Sequence, residues 1–180
     1  MEKGSDFVWS LIILAAVGFL ILYKILAPIF SPLTFPATGA KKTTTFISKY
    51  NLSETQWRAK LTSQQYEVMR ENSIEPPFSG IYASFTDKGI YTCAGCGSKL
   101  FSSDDKYDPK TGYPSFTKPI SDDAIFLKED PWSFQKGILV MCQNCGSHIG
   151  LLFNDGPPPA NKRYSMNSIA LNFIPAEKSK

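Results

Sequence analysis

The pattern of apolar and polar positions changes character three times along the chain. From Phe7 to Tyr23 no side chain is charged, and as a helix rising ~1.5 Å per residue this run spans about 26 Å, nearly a bilayer core. Ile25, Leu26 and Ala27 extend it past Lys24, whose ammonium can snorkel, and Pro28 ends it. Trp9 and Tyr23 sit near the two ends, where amphipathic rings favour the interface. The pattern predicts a single transmembrane anchor over residues 1–27, in contact with the lipid bilayer through 7–27. A cleaved signal peptide is the competing reading, but the run exceeds the usual ~7–15-residue apolar core of such signals and no A-x-A-like site closes it promptly. Lys24, Lys41, Lys42 and Lys49 follow the run against Lys3 before it, which places the rest of the chain on the cytosolic, matrix or stromal side.

From 28 to 50, Pro28, Pro32, Pro36, Gly39 and a Thr43-Thr44-Thr45 run suit an extended linker. A zinc-binding domain over 51–176 and a short tail over 177–180 complete the expected organisation. Ser53-Glu54-Thr55-Gln56 and Thr62-Ser63-Gln64-Gln65 both fit the S/T-x-x-E/Q capping box, so short helices are predicted within 54–60 and 63–71, with Leu61, Tyr66 and Met69 toward the core. Beyond Pro76-Pro77 the rhythm shifts to short aromatic and β-branched runs, GIYASF, GIYTC, GILVMC and SIALNFI, punctuated by Gly, Pro and Asp. These predict a mainly β domain of antiparallel strands.

Composition narrows the functional classes. A net charge of +3, from 19 Lys+Arg against 16 Asp+Glu, is spread without a basic arm or stripe, so nucleic acid has no positive support as a partner. The cysteines carry most of the chemistry. Cys93-Ala94-Gly95-Cys96-Gly97 and Cys142-Gln143-Asn144-Cys145-Gly146 form two C-x-x-C-G turns, with 45 residues between Cys96 and Cys142. A two-residue spacer lets both thiolates of a turn face one ion, and the following glycine permits a positive φ. Four sulfur ligands close a tetrahedral shell, so structural Zn²⁺ is expected; disulfides, reduced thiols, a thioredoxin-like redox pair or iron in a similar shell are the alternatives.

With these turns in place, residues from about Glu54 to Pro175 resemble the type B methionine sulfoxide reductases. The resembling blocks are Trp57-Arg58, the PPFSG-Y run from Pro76 to Tyr82, C-x-x-CG-x-x-LFSS from Cys93 to Ser103, Lys106-Tyr107, Gly112 to Phe116, C-x-x-CGSHIG from Cys142 to Gly150, Asp155-Gly156-Pro157, and Arg163 to Ser168. The resemblance implies two antiparallel sheets with zinc at one edge, preceded by two short helices. It also implies a substrate class, the R epimer of methionine sulfoxide.

Three departures stand out. Where the family's nucleophilic cysteine is expected this chain has Ser165; where a second pocket histidine is expected it has Leu151; and Tyr113 replaces the tryptophan that packs on the substrate methyl group. His148, the only histidine, and Asn167 are retained, and no resolving cysteine lies between Lys106 and Gly112. A serine cannot end as a sulfenic acid, so it cannot take over the cysteine's role in accepting oxygen. The expectation is therefore a catalytically inactive domain acting as an accessory subunit, with other subunits of a membrane complex as partners, in the mitochondrial inner or thylakoid membrane. A reductase with altered chemistry and a reader that binds methionine sulfoxide without reducing it are the alternatives. Tyr113, Phe116 and Phe153 are candidates for an aromatic pocket or for core; a Ser165–His148 hydrolase pair is disfavoured because no motif supplies an orienting carboxylate. Asp122-Asp123 with Glu129-Asp130 is read as a solvated loop.

Overall fold

The computed structural model describes residues 50–129 and 137–177. The expected anchor, the linker up to 49, Asp130 and the tail beyond Glu177 lie outside them. Among the described residues no helix is long and apolar enough to cross a membrane.

Both predicted helices form with the predicted bounds, α1 at Glu54–Lys60 and α2 at Ser63–Glu71. Each begins with a reciprocal cap. Gln56 N donates to Ser53 Oγ (3.3 Å) while Ser53 N donates to Gln56 Oε1 (2.8 Å). Thr62 and Gln65 repeat the exchange at 3.2 and 3.1 Å. Each such cap contributes about 1 kcal/mol. Asn72, left-handed at φ 60°, ends α2. The helices bury Trp57, Leu61, Tyr66, Val68 and Met69. Tyr50, expected to end the linker, belongs to the packed domain: its ring stacks on Trp57 at 6.2 Å and its hydroxyl donates to the Cys96 carbonyl at 3.3 Å.

The strands are β1 Gly89–Cys93, β2 Lys99–Ser102, β3 Lys106–Tyr107, β4 Ser115–Phe116, β5 Ile125–Lys128, β6 Ile138–Cys142, β7 His148–Phe153, β8 Arg163–Met166 and β9 Leu171–Pro175. They form two antiparallel sheets, β2-β1-β9 and β3-β4-β8-β7-β6-β5. An aromatic stack joins them. Phe116 of β4 stacks on Phe101 of β2 at 4.5 Å and meets Tyr91 of β1 edge-on at 5.0 Å, all three fully buried. Pairs of this geometry add about 0.5–1.5 kcal/mol each beyond the area they bury.

Two strand expectations are corrected. GIYASF forms turns: Ile81 is 75% exposed, and Tyr82 N donates to Ser168 Oγ rather than to a ladder partner. SIALNFI begins as a 3-10 turn, Ser168–Ala170, before β9. The cause is Glu75, whose carboxylate accepts from Ser168 N (2.6 Å) and Ile169 N (3.0 Å) and so withdraws those amides from strand pairing.

Candidate functional site

Two separate sets of chemically able residues are assembled. The first is made by matching turns at the ends of the β1–β2 and β6–β7 hairpins. In each, the first cysteine's carbonyl accepts from the glycine that follows the second: Gly97 N to Cys93 O at 2.8 Å and Gly146 N to Cys142 O at 2.9 Å. Gly97 and Gly146 take φ 77° and 68°, the left-handed conformation that glycine adopts without steric cost. Cys93, Cys96, Cys142 and Cys145 bring their sulfurs within 4.8 Å of one another. Cys93 Sγ to Cys145 Sγ is 3.7 Å and Cys96 Sγ to Cys142 Sγ is 3.6 Å.

Those separations fit an ion. A tetrahedron with Zn–S of about 2.3 Å has edges of about 3.8 Å. The crowded thiols also perturb one another, contact with Cys142 driving Cys93 well up and Cys96 down. Ser98 Oγ lies 3.2 Å from Cys96 Sγ and Ser147 Oγ 3.3 Å from Cys145 Sγ, each placed to donate to a thiolate. The four cysteines thus form a site suited to structural zinc. Held there, the ion would have no open position for substrate and would tie the two sheets through their hairpins.

The second set surrounds a cavity of about 410 Å³ lined by Ile74, Thr111, Tyr113, Gly150, Leu151, Phe153, Arg163, Ser165 and Asn167. Sheet register explains the grouping. Ser165 on β8 sits directly opposite Leu151 on β7 and Ser115 on β4, so its side chain shares a face with both. No cysteine lines this cavity. Of the three aromatic candidates, Tyr113 and Phe153 line it while Phe116 belongs to the core.

Neighbouring groups hold the walls in place. The Tyr113 hydroxyl donates to the Glu75 carbonyl at 3.0 Å, and burial raises its pKa, so the phenol is a protonated donor at neutral pH. Asn167 Oδ1 accepts from Glu75 N at 3.1 Å. Arg163 grips Asp155 through two 2.8 Å hydrogen bonds, holding that carboxyl below its ordinary pKa, and places its guanidinium 4.3 Å from the Phe153 ring centroid. Glu75 is a residue that sequence reasoning missed. An acidic side chain directly before Pro76-Pro77 was its only local signal.

His148 is not part of the cavity lining. Its buried ring lies between two carbonyls, Nδ1 2.9 Å from Val68 O and Nε2 3.0 Å from Gly150 O. With both nitrogens so engaged it forms no pair with Ser165, and the hydrolase arrangement is absent among the described residues. Asp122, Asp123 and Glu129 are exposed, as a solvated loop requires.

Comparison with known proteins adds the family. The SelR domain model matches residues 61–175. A "Peptide methionine sulfoxide reductase MsrB" of Methanosarcina barkeri is 50% identical over 128 residues, covering 71% of this chain and 90% of that protein. The counterpart of Agrobacterium fabrum is 41% identical over 127 residues, covering 71% and 94%. "Methionine-R-sulfoxide reductase B2, mitochondrial" of Danio rerio is 42% identical over 139 residues, covering 73% and 77%.

These relatives overturn the expectation of a non-enzymatic accessory subunit, because the proteins so similar to this chain bear the name of an enzyme. The physical reason lies in the cavity. With Tyr113, Leu151 and Ser165 in its wall it is an open cavity, mainly apolar surface beside the polar groups of Ser165 and Asn167. The chain belongs to the SelR-domain family, that of the type B methionine sulfoxide reductases.

Proposed function

We propose that this domain reduces the R epimer of peptide-bound methionine sulfoxide with electrons from a separate thiol donor. The observation that carries the reading is Ser165, set opposite Leu151 on an open cavity between Tyr113 and Phe153. Tyr113, Leu151 and Phe153 offer apolar surface for the methyl group and side-chain methylenes. The Ser165 hydroxyl offers a hydrogen bond to the sulfoxide oxygen, which withdraws charge from the sulfur and exposes it to a thiolate. Two thiols complete the balance: the substrate sulfur gains two electrons, the oxygen leaves as water with two protons, and the thiols become a disulfide. This division of labour follows from the chemistry of 165, since an alcohol cannot serve as the oxygen acceptor and the chain's thiols are grouped at the zinc site.

The test is consumption of a methionine-R-sulfoxide peptide by the purified chain with dithiothreitol as the thiol. Turnover above the uncatalysed rate is expected, falling about a hundredfold in Ser165→Ala and rising in Ser165→Cys, where a thiol opens a sulfenic acid route. Saturable binding with no turnover would assign recognition without reduction.

The apolar run 7–27 supports placing this activity at a membrane, with the domain on the cytosolic, matrix or stromal side. Alkaline carbonate extraction should leave the chain in the membrane pellet; release into the supernatant would contradict that placement.

A further inference from the structure

One exposed ring is fixed to the segment that forms part of the cavity wall. Phe78 is 73% exposed, yet its backbone is held at φ 64°, a region that bulky side chains rarely adopt and that turns ordinarily fill with glycine or asparagine. The turn is built firmly. It follows Pro76-Pro77 and is closed by Ser79 N and Ser79 Oγ, which donate to Pro76 O at 3.3 and 2.7 Å. Phe78 N donates to Gly112 O at 2.9 Å, fixing the residue to the segment that carries Thr111 and Tyr113 into the cavity wall. Gly112, at φ 83°, leaves room for the ring: a side chain there would meet Phe78 Cγ and Cδ2 at 2.8 Å. Ile81, 75% exposed, presents a second apolar side chain three residues on.

A strained backbone that displays an aromatic ring to water gains nothing for folding, and such strain is stored where a ligand uses it. We propose that Phe78 is a specificity-determining residue that favours methionine sulfoxide within a peptide over its small derivatives, by packing against an apolar side chain adjacent to the sulfoxide residue. The occupant is an extended segment of an oxidised polypeptide with an aliphatic or aromatic neighbour. Continuity through Gly112 makes the ring an extension of the same binding surface. The inference rests on the proposed recognition of methionine sulfoxide in the cavity.

The experiment compares the affinity of the full chain for a methionine-R-sulfoxide hexapeptide with leucine on both sides and for N-acetylmethionine-R-sulfoxide methylamide. The wild type should bind the hexapeptide about tenfold more tightly, the effect of one well-packed aromatic contact. Phe78→Asn suits the left-handed backbone. It should abolish that preference, leave the small ligand's affinity unchanged and keep or raise Tm, whereas Phe78→Leu should retain part of the preference. A preference that persists in Phe78→Asn, a wild type with no preference, or a parallel weakening of both ligands with a lowered Tm overturns the inference alone. A wild type that binds neither ligand defeats the reading of the cavity, and this inference with it.

Discussion

At the residue scale, His148 shows how a side chain retained from a catalytic motif can work for the fold. A protonated ring could donate to both the Val68 and Gly150 carbonyls, whereas a neutral one donates to a single carbonyl. Burial outweighs those contacts and lowers the pKa below its ordinary value. The consequence for stability has a definite sign. The unfolded chain takes up a proton near pH 6.5 and the folded chain only at lower pH, so stability is full above about pH 6.5 and declines below it, by at most about 1.4 kcal/mol per pH unit. Acid also protonates zinc thiolates, so the contribution is isolated by comparison. The fall in Tm between pH 7.5 and 5 should be shallower in His148→Gln than in the wild type, and equal slopes would remove His148 from the account.

At the scale of elements, the segment from Ile74 to Tyr82 acts as a strap across the second half of the domain. Glu75 fastens it with its carboxylate on Ser168 N and Ile169 N, its amide on Asn167 and its carbonyl on Tyr113. Hydrogen bonds to a charged group contribute about 1.5–3 kcal/mol. Glu75→Ala should therefore lower stability in denaturant titration by about 2–4 kcal/mol through loss of the two carboxylate bonds, while the backbone carbonyl that receives the Tyr113 hydroxyl stays in place. A change below about 0.5 kcal/mol, the range of ordinary surface substitutions, would show that the strap is held by other contacts. The sequence could not disclose this fastening, since Glu75 and Ser168 are 93 positions apart and no short-range pattern encodes their contact. The helices were legible because a capping box is local, and β1 and β6 because their runs are dense in apolar residues. β7 has no alternation to read: it lies between β6 and β8 and is buried almost throughout. GIYASF has the composition of a strand, but it runs as turns whose Tyr82 amide is taken by Ser168. At the site, Tyr113, Leu151 and Ser165 were legible through their motifs, whereas Ile74 and Thr111 enter the cavity only through the fold.

At the scale of the whole domain, structure and chemistry occupy different places. The four cysteines join the β1–β2 and β6–β7 hairpins, which belong to different sheets, so a bound zinc ion is a cross-link between them. Chelation should abolish the cooperative thermal transition and the near-UV signal together, and a chelated protein that keeps both would show that the aromatic stack suffices. The cavity at Ser165 is lined by none of these thiols, which leaves reduction to depend on thiols from elsewhere. That central claim is tested most directly by following a methionine-R-sulfoxide peptide with the purified chain as the dithiothreitol concentration is varied. The account predicts conversion to the methionine peptide at a rate that rises with the thiol and drops in Ser165→Ala. Conversion no faster than in buffer with dithiothreitol alone would contradict it.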